Sequence, residues 1–103
     1  MLASAHDLPL EIGRVAARAA IEGRCPTIAV ASPNGELLHD HIDELLESHG
    51  ADDVVTTFNT GPEAIDDAAA MLATGLGGVG RVYVFTNVPA AVEAALRRMD
   101  LLP

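Results

Sequence analysis

The feature that most restricts how this chain can fold is a regular alternation of short apolar runs with longer amphipathic stretches. The runs are Thr27–Ala31 (TIAVA), Val54–Phe58 (VVTTF) and Val82–Thr86 (VYVFT), each bounded by turn-forming residues. TIAVA is apolar almost throughout, as a strand covered on both faces must be, whereas the threonines of VVTTF suit an edge. Before TIAVA, Leu8, Ile12, Val15 and Ala19 recur at helical spacing with Ala16 and Ala20 beside them. This predicts a helix over 8–22, capped by Asp7, tolerant of Pro9 in its first turn and ended by Gly23. Leu38, Ile42, Leu45 and His49, flanked by Leu37 and Leu46, predict a second helix stopped at Gly50. A third opens at Thr60 to Glu63 (TGPE), spaced like a capping box, and carries the stripe Ile65, Ala68, Ala69, Leu72 and Leu76. A last helix runs from Pro89 to about Arg98.

Strands joined by helices of this length pair in parallel through right-handed crossovers. The expected fold is therefore a single α/β domain over residues 1–103, a three-layer sandwich of topology αβαβαβα, equivalent to half of a flavodoxin-like fold. Its small parallel sheet takes the order 2-1-3, because the first run is the most uniformly apolar. A sheet that small must be covered tightly by its helices or extended by a second chain, so a homo-oligomer is expected.

Charge narrows the choice of partners. Of fifteen acidic residues, ten lie within residues 25–80, a stretch without one Arg or Lys. Five of them, Glu36, Asp40, Asp43, Glu44 and Glu47, belong to the second helix and form the candidate surface for a basic protein partner. The plainer reading is a solvated face that keeps the molecule soluble. With six arginines and no lysine in the whole chain there is no basic stripe, which argues against direct binding of nucleic acid. No apolar run reaches the roughly 18 residues of a membrane span. Asp7, Pro9, Glu11 and Arg14 interrupt what a signal peptide would need, and a single cysteine, Cys25, suits a reducing compartment. The expected location is the cytoplasm, without membrane association.

In an open parallel sheet, ligands bind beyond the carboxyl ends of the strands. Three loops meet there, and they supply Ser32, Asn34, Asn59, Thr60, Thr86 and Asn87 as candidate ligand-binding side chains for an anion, a sugar or a carboxylate. Ser32, Thr60 and Asn87 equally suit the simpler task of capping the helices that follow. No His, Cys, Lys or Arg joins them, so no proton carrier or nucleophile is at hand and no catalytic residue is assigned.

Residues 75–80 (GLGGVG) match the spacing of a dinucleotide-binding loop but follow a helix and precede a strand, the reverse of the required order, and read as a turn. No cofactor is expected from them. His39, His41 and His49 do not converge on one face, although His39 and Asp43 are one helical turn apart, and no metal site is assigned. Cys25 reads as a packed small residue. Met99, Leu101 and Leu102 form an apolar tail that either covers the domain's own core or meets another chain.

From Thr27 to Asn87, TIAVASPNGELLHDHIDELLESHGADDVVTTFNTGPEAIDDAAAML followed by RVYVFTN resembles the first three strand-helix units of response-regulator receiver domains. The likeness lies in the apolar first strand, the loop opening an L-L-x-x-x-I-x-x-L-L helix, the V-V-T strand and the turn into G-P-E-A-I. In that family, acids after the first strand hold magnesium and an aspartate at the end of the third accepts phosphate. The corresponding residues here are Ser32, Pro33 and Thr86, and no lysine is present for the family's basic position. The resemblance thus implies a degenerate receiver-like module acting through contacts rather than phosphorylation. The expected function is a small non-catalytic binding or regulatory module. Alternatives are a small oligomeric enzyme acting on a phosphorylated or carboxylated metabolite, and an acidic protein that neutralises a toxin or mimics nucleic acid.

Overall fold

A computed structural model describes residues 1–51, 53–76 and 84–101. The chain order is β1 (Leu2–Ala3), α1 (Leu10–Gly23), β2 (Thr27–Ala31), α2 (Gly35–Ser48), β3 (Val55–Asn59), α3 (Ala64–Leu76), β4 (Phe85–Thr86) and α4 (Pro89–Arg98). The protein is an α/β three-layer sandwich around a four-stranded, all-parallel sheet of order β3-β2-β1-β4.

The expected order 2-1-3 is corrected by an additional strand. Leu2 and Ala3 form β1, which pairs with Val30 and Ala31 on one side and with Phe85 and Thr86 on the other. It therefore separates two strands expected to be neighbours, and the topology gains a leading β. Two residues are too few to show periodicity, which is why β1 left no signal in the sequence. VVTTF does lie at an edge, as β3, shifted by one residue.

Right-handed crossovers explain the layering. The chain advances from β1 to β2 to β3 with α1 and α2 on one face, then reverses past β1 to reach β4, which places α3 on the other. Side chains alternate accordingly. Leu2, Ile28 and Val30 pack with Ala16, Ala17, Ala20, Leu38, Ile42 and Leu46 of the first two helices. Ala3, Ala29 and Ala31 pack with Ala68, Ala69 and Leu72 of α3 and Val92, Ala95 and Leu96 of α4. Met99 and Leu101 pack against this second core, so the described part of the apolar tail covers its own domain; Leu102 lies outside the described residues.

Helix ends differ from expectation. Pro9, not Asp7, occupies the N-cap of α1, without a side-chain cap bond, and Arg24 ends the helix in the left-handed conformation at φ 53°. Gly50, at φ 68°, does follow the end of α2. The glycine-rich run begins in the last turn of α3, but residues 77–80, like Val82 and Tyr83 of the expected third strand, lie outside the described residues. Among the described residues no helix is long and apolar enough to cross a membrane.

Candidate functional site

Because all four strands run the same way, the residues that follow them collect on one rim: Ser4 after β1, Ser32 after β2, Thr60 after β3 and Asn87 after β4. Ser4 was not anticipated. Its N–H donates to Ala31 O at 2.9 Å, continuing the ladder past β1, and its hydroxyl accepts from His6 N–H at 3.1 Å. The only trace it left in the sequence is the apolar triplet Met1, Leu2, Ala3 ahead of a turn-like Ser-Ala-His-Asp.

The expected capping roles are replaced by ties between loops. The N-cap position of α2 is Asn34, but its side chain makes no cap bond. Its amide instead grips the backbone of Leu8: Oδ1 accepts from Leu8 N–H at 3.0 Å and Nδ2 donates to Leu8 O at 2.8 Å. Ser32 Oγ, on a residue only 2% exposed, donates to the same Oδ1 at 3.0 Å. Both lone pairs of that oxygen are thus occupied within the protein. Thr86 Oγ1 accepts from Val88 N–H at 2.9 Å in a local turn, and Asn87 Oδ1 accepts a longer bond from Ala5 N–H at 3.4 Å. Val88, rather than Asn87, is the N-cap of α4.

Of the six side chains expected at this rim, Ser32 and Thr60 meet across a cleft, Asn34 and Asn87 fasten the loops around it, and Thr86 closes a local turn. The cleft holds about 320 Å³ and is lined by Ser4, Ser32, Pro33, Thr60, Gly61 and Ala64, with other residues of the same loops. Among the described residues that line it, none is charged. Ala64 begins the thirteen-residue α3; its N–H donates to Gly61 O at 3.0 Å and that of Asp67 to Glu63 O at 2.9 Å, which leaves the N–H groups of Ile65 and Asp66 at this helix N-terminus. Asn59 lies opposite Ala31 in the β2–β3 register, and its buried Nδ2 finds no hydrogen-bond partner among the described residues. Such a cleft suits a small ligand with oxygen acceptors.

A dinucleotide fingerprint would have to occupy the β1–α1 turn, where it would aim a helix N-terminus at the pyrophosphate. That turn reads Ser4 to Pro9, SAHDLP, and contains no glycine. The close backbone approach that pyrophosphate recognition requires is therefore not built into it.

On α2, Glu36, Asp40, Glu44 and Glu47 are exposed and Asp43 is half-buried. Asp40 and Asp43 hold His39 from both sides, with Nδ1 3.0 Å from Asp40 Oδ1 and Nε2 3.4 Å from Asp43 Oδ2. The ring meets Phe58 edge-on at 5.1 Å between centroids, tying α2 to β3. His49, which the sequence places on the stripe of Leu38, Ile42 and Leu45, is exposed, its Nδ1–H donating to Leu45 O at 2.8 Å. Among the described residues no group of three His, Cys, Asp or Glu converges as metal ligands would.

At the opposite edge Cys25 is a half-buried free thiol. The buried α-amino group of Met1 is pushed down from its ordinary 8.0 to about 6 by desolvation, an effect partly offset by the charge Cys25 can carry. Compared with protein-family models, curated proteins and solved structures, the chain matches none.

Proposed function

We propose that the protein is a small non-catalytic binding or regulatory module that takes a phosphate- or carboxylate-bearing metabolite in its rim cleft. The observation that carries this reading is the meeting of Ser32, Thr60 and the start of α3 around one uncharged cleft. Thr60 is exposed at the cleft with its hydroxyl proton to give, and helix N–H groups receive anionic oxygen without needing a cation; the Ser32 hydroxyl, donated to Asn34, shapes the wall. The described walls are built of hydroxyl, apolar and proline side chains, which suits binding rather than turnover.

In this reading the acidic rank on α2 meets a basic protein partner in the cytoplasm, and the chain self-associates. A receiver-like domain that has exchanged phosphorylation for contacts would work in this way. Self-association is supported by two open sheet edges, with Val55 58% exposed on β3 and Phe85 37% exposed on β4.

Thermal unfolding against a panel of small phosphate- and carboxylate-bearing metabolites tests the cleft. One class should raise the melting temperature saturably, and Thr60→Val should weaken that response at least tenfold in ligand concentration. No saturable response from any class, or one unchanged in Thr60→Val, would discard the assignment. For the acidic rank, affinity for a basic partner should drop steeply with added salt.

A further inference from the structure

The helical layer on the α1–α2 face contains a second opening, unlike the rim in its chemistry. A groove of about 440 Å³ runs between the two helices, within the roughly 300–1,000 Å³ typical of small-molecule sites. Its apolar lining is Ala17, Ile21 and Leu45, all packed on the core beneath. Arg14 and Arg18 stand on the α1 wall and His49 on the α2 wall; Glu22 is the one acid among the described lining residues.

The arginines are the informative part. Arg14 and Arg18 are four residues apart, so their side chains project from the same flank of α1. Elsewhere, Arg97 pairs with Glu93 and Arg98 with Asp66. Arg14 and Arg18 make no ion pair with any described residue, although the chain has fifteen acids to offer. Two guanidinium groups of like charge therefore stand together beside the half-buried Ile21 and Leu45 in a molecule of net charge −9. Arg24 is also without an ion pair among the described residues, but only Arg14 and Arg18 line the groove, and that placement matches a ligand with an anionic head and an apolar body.

We propose that the α1–α2 groove is a binding site for a small amphipathic organic anion. Arg14 and Arg18 take the carboxylate or phosphate head, and the tail lies on Ala17, Ile21 and Leu45. Neither part alone suffices: a free anion forgoes the apolar lining, and a neutral chain leaves the guanidinium groups without a partner.

The test is calorimetric titration of the full chain with octanoate and octyl phosphate, alongside octanol and inorganic phosphate. Both amphipathic anions should bind saturably, and octanol and inorganic phosphate at least tenfold more weakly. The variant Arg14→Gln/Arg18→Gln should lose at least tenfold in affinity for both. Arg97→Gln/Arg98→Gln, which removes the same charge from the α4 side, should bind as the parent does. Circular dichroism and melting temperature establish that each variant is folded, and Ile21→Asp supplies an independent disruption of the lining. The proposal is overturned by absence of saturable octanoate binding, by octanol binding equally well, by inorganic phosphate alone accounting for the affinity, or by equal losses in the two arginine variants.

Discussion

The two faces of the sheet solve one packing problem with opposite residues. Along β1 and β2 the chain alternates Leu2 with Ala3, and Ile28 and Val30 with Ala29 and Ala31. Toward α1 and α2 the strands present bulk, and α1 meets it with small residues: Ala16, Ala17, Ala20 and the buried Gly13. A Cβ on Gly13 would lie 3.3 Å from both His41 and Ile42, so α1 and α2 also approach closely there. Toward α3 and α4 the strands present methyl groups, and α3 adds its own in Ala64, Ala68 and Ala69. The first face is vulnerable to lost volume, the second to added volume.

The largest expected effect is on the face of large side chains. Ile42, fully buried, should cost about 2–5 kcal/mol when truncated to alanine, measured by urea unfolding. A loss below about 1 kcal/mol would mean that α2 collapses onto the gap and that the face is not close-packed.

A pH effect comes next, and it belongs to the alanine face, because Met1 packs in that core. Its amine has a folded pKa of about 6 against an unfolded value of 8.0, so between these values the unfolded chain binds more protons. Stability from this group is complete above pH 8, falls as pH drops toward 6 and levels off below. The total is about 2–3 kcal/mol. N-terminal acetylation should flatten the profile over that window, and an unchanged slope would assign the dependence to other groups.

Overpacking tests the contrast on neighbouring residues of β2. Ala29→Val should destabilise by about 1–3 kcal/mol. A neutral outcome would show that α3 can lift away and would remove the distinction between the faces. The rim spans a comparable effect and the smallest one. Asn34→Ala should cost about 1–3 kcal/mol, since it leaves Leu8 N–H and Ser32 Oγ without their acceptor. Asn87→Ala, losing one exposed bond of 3.4 Å, should cost less than about 0.5 kcal/mol. Equal costs would mean that the Asn34 clasp is not the stronger tie.

Much of this was legible because it is local. Helix faces follow from spacing, and Leu38, Ile42 and Leu46 are buried as their positions imply. TIAVA reads as an interior strand because it is covered on both sides. The capping expectations for Ser32 and Asn87 failed for a physical reason: Ser and Asn side chains bond whichever polar group the fold brings near. Asn34 serves Leu8, twenty-six residues away, in preference to its own helix.

Alternation of apolar runs and amphipathic stretches determined, on its own, that the sheet is parallel, that helices cover both faces and that Ser32, Thr60 and Asn87 share a rim. These depend on periodicity and connection length, which act over a few residues. Only the tertiary structure decided the strand order, the entry of Ser4 into the cleft and the division of rim side chains between clasp and cleft. Each depends on β1, a strand of two residues stabilised almost entirely by the neighbours it pairs with, and pairing between distant segments leaves no periodic mark on the sequence.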